Sequence, residues 1–157
     1  MRVVYLVDRP AEDVQVVAGW FMEQWGPDSV EHWLPLLGGM LQHGVLPAAF
    51  VAVEGEELLG TASLVAAGPH DLPHYSPWLA SLYVPPTARR RGVAAALLRR
   101  VELEARILGF TRLYFKAAGP VEPYQALGWR WIGSTIAGGE APAAVLMLDL
   151  TRKERAA

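Results

Sequence analysis

Apolar residues are spaced along this chain in two rhythms, and the changes of rhythm mark out the elements. "RVVYLV" (Arg2–Val7) is apolar and rich in β-branched residues, which predicts a first strand. Beyond Pro10, Val14, Val17, Ala18, Phe21, Met22 and Trp25 recur at helical spacing. Glu12 and Asp13 suit the start of that helix, and Gly26-Pro27 stops it. "DSVEHWLPLLGGMLQHG" predicts a second, less regular helix, with Asp28 or Ser29 as its cap and Pro35 bending or breaking it. Ala48–Val53 and Glu57–Ala66 read as two strands of a hairpin turning at Gly55. Trp78–Val84 is a further strand, closed by Pro85-Pro86.

The second half repeats the alternation. Ala94, Leu97, Leu98, Val101, Ala105 and Leu108 form one helical face that Gly109 ends. Thr111–Ala117 is a strand, and "GPVEPYQALG" is a short helix ending at Gly128. Trp129–Thr135 and Ala143–Leu150 are strands joined by the glycine-rich "IAGGEAP". Trp129 and Trp131 are two apart and so are expected on the same side, packed in a core or a dimer. The order βααβββαβαββ predicts an α/β (α+β) fold, a mixed and mostly antiparallel sheet of six to seven strands flanked by about four helices.

Composition narrows this further. The 157 residues suit a single domain, 1–157, with the tail 151–157 frayed. A hydrophobic share of 52% against 19% charged predicts a folded chain. Net charge is −2, which speaks against a general nucleic-acid binder. The absence of cysteine excludes disulfides and thiolate chemistry and is compatible with the cytoplasm, the expected location. The apolar run at the N-terminus is too short for a signal peptide, and no stretch approaches a membrane span.

One stretch leaves two readings open, an anion-binding site or a solvated arginine patch. "PPTARRRGVAAALL" sets Arg89, Arg90 and Arg91 against the start of a helix, where negative charge is favoured. A strand–turn–helix junction binds anions well, because the first turn has N–H groups without internal acceptors. The arginines add forked donors suited to a diphosphate, and Gly92 lets the backbone approach a bulky group. Neither G-x-x-x-x-G-K-[ST] nor G-x-G-x-x-G is present, which speaks against a Walker-type nucleotidase and a dinucleotide fold.

Arg89, Gly92 and Ala94 match [QR]-x-x-G-x-[GA], and downstream Tyr124 precedes the Gly128-Trp129 pair. With the strand before and the strand–helix unit after, "LASLYVPPTARRRGVAAALLRRVELEARILGFTRLYFKAAGPVEPYQALGWRWIG" resembles the core of the GCN5-related N-acetyltransferases (GNAT). The motif core spans about residues 48–135. The resemblance implies a V-shaped splay beside a bulged Trp78–Val84 strand, where acetyl-CoA would lie as co-substrate. It implies backbone contacts from Leu82, Tyr83 and Val84 to the thioester and pantetheine arm. Amides from Arg90 through Gly92 and Val93 to Ala94 would hold the pyrophosphate. Arg89 would support them, and Arg90 or Arg91 would reach the 3′-phosphate.

The resemblance makes Tyr124 the expected acid for the departing thiolate. The acceptor amine needs a base, and "WLASLYV" has no carboxylate. Ser81 with an ordered water, His74 and Glu23 remain open as alternatives. The loop "AGPHDLPHYSP" (Ala67–Pro77) is long and holds His70, Asp71, His74 and Tyr75. It is expected to be a lid beside the acceptor, with Trp25, His74 and Tyr75 as acceptor-site residues; Pro73 opposes a helical metal pair, and no metal is expected. Trp25 and Trp33 are otherwise expected in the core. The expected activity is acetyl transfer to a primary amine of a small molecule or peptide, without a membrane or nucleic-acid partner, by a monomer or homodimer. The rival is a silent acyl-CoA-binding sensor or partner module.

Overall fold

The computed structural model describes residues 1–26, 29–136 and 141–152. Seven strands and four helices follow in the expected order. They are β1 (Arg2–Tyr5), α1 (Ala11–Trp25), α2 (Val30–Gly38), β2 (Ala48–Glu54), β3 (Glu57–Val65) and β4 (Trp78–Tyr83), then α3 (Val93–Ile107), β5 (Arg112–Ala117), α4 (Glu122–Gln125), β6 (Arg130–Thr135) and β7 (Ala143–Asp149). The sheet order is β1-β2-β3-β4-β5-β7-β6, mixed because β4 and β5 run parallel while β1–β2, β2–β3, β5–β7 and β6–β7 are antiparallel. The chain divides into two compact units, residues 1–64 with 81–101, and residues 65–80 with 102–157.

In the first unit, β1 pairs with β2 from Arg2↔Val53 to Tyr5↔Phe50, and β2 with β3 in a hairpin turning at Gly55, φ +62°. Val17, Ala18 and Phe21 of α1 are fully buried, as their spacing predicts. Asp28 lies outside the described residues. Ser29 holds the cap position of α2, but its hydroxyl donates to Glu31 Oε2 at 2.7 Å instead of accepting from a backbone amide. That bond, with a backbone bond second, holds the Glu31 carboxyl below its ordinary range. Pro35 sits inside α2, which ends three residues later at Gly38.

In α3 the buried face is Val93, Leu97, Leu98, Val101, Glu104 and Ala105, while Ala94 and Leu108 are half-buried. Leu97, Leu98, Val101 and Ala105 of the expected face are thus buried, and Val93 and Glu104 take the places expected of Ala94 and Leu108. Gly109, φ +88°, ends it.

In the second unit, β5 pairs with β7 from Arg112↔Asp149 to Ala117↔Ala144. Trp78, Tyr114 and Val145 form a buried cluster against which Leu72, Tyr75, Ile132 and Met147 pack. The expectation for the two late tryptophans is corrected here. Trp129 precedes β6 and is 3% exposed, whereas Trp131 is 58% exposed on the edge strand. Strand alternation acts only within a strand, and Trp129 lies before β6 begins at Arg130, so spacing by two does not fix a common side. At the C-terminal end Thr151 donates to Asp149 Oδ1 through its amide (2.9 Å) and hydroxyl (2.6 Å). The rest of the expected frayed tail, 153–157, lies outside the described residues, as do 137–140 of the β6–β7 connection.

Candidate active site

The strand that leads into the arginine loop is not a regular one. Ser81 has φ +55° inside β4, in the left-handed region that non-glycine residues rarely visit. A residue in that conformation turns the strand and reorients the backbone groups that follow. The parallel pairing of β4 with β5 comprises two residue pairs, Trp78↔Tyr114 and Leu79↔Phe115. Ser81 and Leu82 are half-buried. Tyr83 is buried, its ring 5.6 Å from that of Trp20 on α1. Its ring therefore packs against α1.

After β4 the chain makes a 3-10 turn at Pro86–Ala88, and Arg90 (φ +64°) and Gly92 (φ +76°) adopt left-handed conformations. The Gly92 carbonyl accepts from the Ala96 amide at 3.1 Å, so Gly92 caps α3. The amides of Val93, Ala94 and Ala95 then lie in the first turn, where a helix offers them no internal acceptor. A Cβ added at Gly92 meets nothing within 4 Å, so the backbone is approachable at this residue. These features suit a diphosphate.

The three arginines are exposed but not equivalent. Arg89 Nε donates to the Val84 carbonyl at 3.0 Å and so ties the loop back to the end of β4. The Arg91 guanidinium pairs with Glu54 Oε2 at 2.7 Å. Arg90 has no hydrogen-bond partner among the described residues. The sequence-based expectation treats all three as phosphate donors, whereas the geometry leaves Arg90 as the side chain without another engagement.

A residue without any motif lies beneath this loop. An added Cβ at Gly60 of β3 would stand 2.9 Å from the Tyr83 carbonyl oxygen, 3.0 Å from Val93 Cγ1 and 3.1 Å from Leu97 Cδ1. The end of β4 and the first turn of α3 therefore meet over a hydrogen atom. The available signal in the sequence is a lone glycine within the apolar run "ELLGTASLV".

In the second unit, Tyr124 lies on the short α4, its ring edge-on to Phe115 of β5 at 5.0 Å. Its carbonyl accepts from the amides of Leu127 (2.9 Å) and Trp129 (3.2 Å), which fixes the turn through Gly128, φ +101°. The side chain is half-buried, and its hydroxyl has no hydrogen-bond partner among the described residues. Burial pushes the phenol above its ordinary value of 10.0. It is therefore a proton donor across neutral pH.

The long loop before β4 is docked on its own unit. Tyr75 stacks on Tyr114, centroids 4.5 Å apart and planes 7° apart. Trp78 Nε1 donates to the Tyr75 carbonyl at 2.6 Å. Asp71 Oδ1 accepts from Thr135 Oγ1 at 2.6 Å, and this bond is the main reason its carboxyl lies below its ordinary range. Gly68 passes directly over Trp78, where a Cβ would fall 2.3 Å from the indole. Of the acceptor-site candidates here, His74 is exposed and Tyr75 is engaged in packing. On α1, Glu23 is exposed and Trp25 is 48% exposed, its ring 5.3 Å from Phe21 and 6.4 Å from Trp33. Trp25 is thus the rim of an aromatic cluster, not a core residue.

Among the described residues no group of three His, Asp or Glu side chains could hold a metal, and no helix is long and apolar enough to cross a membrane.

Comparison with known proteins agrees with this geometry. The profile of the Acetyltransferase (GNAT) family matches residues 14–128. No curated protein sequence matches. Among solved structures, an aminoglycoside 6′-N-acetyltransferase complexed with coenzyme A superposes with a TM-score of 0.77 at 16% identity, covering 99% of this chain and 100% of that one. The ribosomal-protein-alanine N-acetyltransferase of Brucella melitensis gives 0.74 at 17% identity, covering 95% and 99%. The Salmonella typhimurium protein yncA, solved with acetyl-CoA, gives 0.73 at 18% identity, covering 99% and 95%. At these identities the likeness is one of fold.

Proposed function

The chain belongs to the GNAT acetyltransferase family, and from that premise we propose that it transfers an acetyl group from acetyl-CoA to a primary amine of a small molecule or peptide. The observation that carries this reading is the start of α3, capped by Gly92 in a left-handed conformation with open space where its Cβ would stand. Amides from Arg90 to Ala94 take the diphosphate of CoA, with Arg89 bracing the loop and Arg90 reaching a phosphate. Leu82, Tyr83 and Val84 offer backbone groups to the pantetheine arm and thioester, in a strand already turned at Ser81.

In the reaction the amine nitrogen attacks the thioester carbonyl, the C–N bond forms, and a backbone N–H near Leu82–Val84 steadies the oxyanion. The C–S bond then breaks. Tyr124 gives its proton to the leaving thiolate, a role suited to a phenol held protonated by burial. The nitrogen loses a proton to a base. With no carboxylate on β4, Ser81 with a water is a polar group the strand can supply, with His74 and Glu23 as exposed alternatives. Holding amine and thioester together in a ternary complex supplies much of the rate.

CoA release over a panel of amines tests this, with Tyr124→Phe as control. The panel includes aminoglycosides and alanine-terminal peptides, the acceptors named for two of the structural neighbours. Turnover on some member, lost in the variant, is expected. The lack of a carboxylate in "WLASLY" favours a second reading, a silent acyl-CoA-binding module. Binding of acetyl-CoA without turnover on any amine would select it.

A further inference from the structure

The contact beneath the arginine loop assigns a role to a residue outside both family motifs. Gly60 lies in the middle of β3, opposite Ala52 of β2. Its φ is not in the left-handed region, so conformational freedom is not what the position requires. What it requires is space. A Cβ would stand 2.9 Å from a backbone oxygen, that of Tyr83, and 3.0–3.1 Å from Val93 and Leu97. A flexible side chain can give way by a few tenths of an ångström, but a carbonyl in a strand moves only with its strand. Any side chain at this position therefore lifts the end of β4, the first turn of α3, or both.

Those two segments carry the groups assigned to CoA: the backbone of Leu82–Val84 and the amides of Val93 and Ala94. We infer that Gly60 is the positioning residue of the cofactor cradle, setting the height of α3 over β3 so that the strand end and the helix start present their backbone groups together. This inference rests on the CoA-binding reading above. Gly60 touches no substrate and acts through Tyr83 and Val93.

The test compares Gly60→Ala with Val17→Ala, a cavity in the α1 core, each measured for thermal midpoint and for CoA affinity by calorimetry. Gly60→Ala is expected to weaken CoA binding by about tenfold or more, and Val17→Ala by less than about twofold at a comparable loss of midpoint. Equal weakening in the two would mean general loosening and would overturn the assignment. So would a folded Gly60→Ala that binds CoA like the wild type. If Gly60→Ala does not fold, the Gly60→Ala/Val93→Ala pair, in which the Val93 branch is removed, is compared with Val93→Ala alone under the same criteria. A wild-type chain that fails to bind CoA would instead overturn the proposed function itself, so the two failures are distinguishable.

Discussion

Arg91 and Glu54, 37 positions apart in sequence, meet at 2.7 Å and join the end of β2 to the loop that precedes α3. Both side chains are well exposed, so water and salt weaken the pair. Glu54→Gln is expected to cost no more than about 1 kcal/mol, the usual ceiling for exposed pairs. Its effect on CoA affinity should be small, because the backbone of the cradle does not depend on it. Urea unfolding and calorimetry check both expectations. A large loss of CoA affinity would show that the pair fixes the loop.

Gly92 and Arg90 should differ sharply. Gly92→Ala fits the open space but forces a Cβ into a left-handed conformation, at a cost of about 1–2 kcal/mol. Gly92→Glu adds a negative charge beside the amides assigned to a diphosphate, and should weaken CoA binding by about tenfold or more. Arg90→Ala, the removal of one exposed charge, should cost about threefold or less at physiological salt. Equal and mild effects in calorimetry would sink the pyrophosphate-cradle reading.

Tyr124→Phe should leave CoA affinity and thermal midpoint nearly unchanged, because the hydroxyl has no partner among the described residues. If Tyr124 protonates the thiolate, kcat should fall by about a hundredfold or more. The pH dependence has a definite sign. Burial raises the folded-state pKa above the ordinary 10.0. The group's contribution to stability is therefore constant below pH 10 and is lost as pH rises from there through the folded value. Phenolate absorbance against pH, wild type minus Tyr124→Phe, should show one late-titrating tyrosine.

The loop before β4 makes two further predictions. Gly68→Ala places a methyl into the Trp78 indole and should destabilise by about 1–3 kcal/mol, as overpacking does. Tryptophan fluorescence during urea unfolding reports it. Thr135→Val removes the donor that lowers the Asp71 pKa. In the wild type this group stabilises above its unfolded pKa and loses that contribution as pH falls through its folded value. The variant's thermal midpoint should therefore fall less between pH 5 and pH 3 than the wild type's. A parallel profile in the two proteins would show that the bond does not form in solution.

The elements were legible in the sequence wherever a local rule acts. Gly55 and Gly109 both have positive φ and both end their elements where a glycine signal places the end. Gly92 of the [QR]-x-x-G-x-[GA] pattern is legible for the same reason, since it needs its own φ and not a distant neighbour. The illegible features depend on partners far along the chain. Gly60 is set by Tyr83 and Val93, Gly68 by Trp78, and Tyr75 by Tyr114. Ser81 is harder still, because nothing in its residue type announces a left-handed strand position. Trp131 departs from the side expected of it because alternation acts only within a strand, and its expected companion Trp129 lies before β6 begins.

The two compact units are interleaved along the chain, which passes between them at 64/65, 80/81 and 101/102. The last two passages fall inside β4 and inside α3. Neither unit is a continuous piece of gene. A simple truncation cannot isolate one of them, and a recombination event at any single point splits at least one. Swapping acceptor specificity between relatives by exchanging halves should therefore yield insoluble chimaeras, and a graft of 66–77 has to keep the Gly68, Asp71 and Tyr75 contacts that dock this loop on its unit. A chain built this way cannot trade halves without breaking a unit.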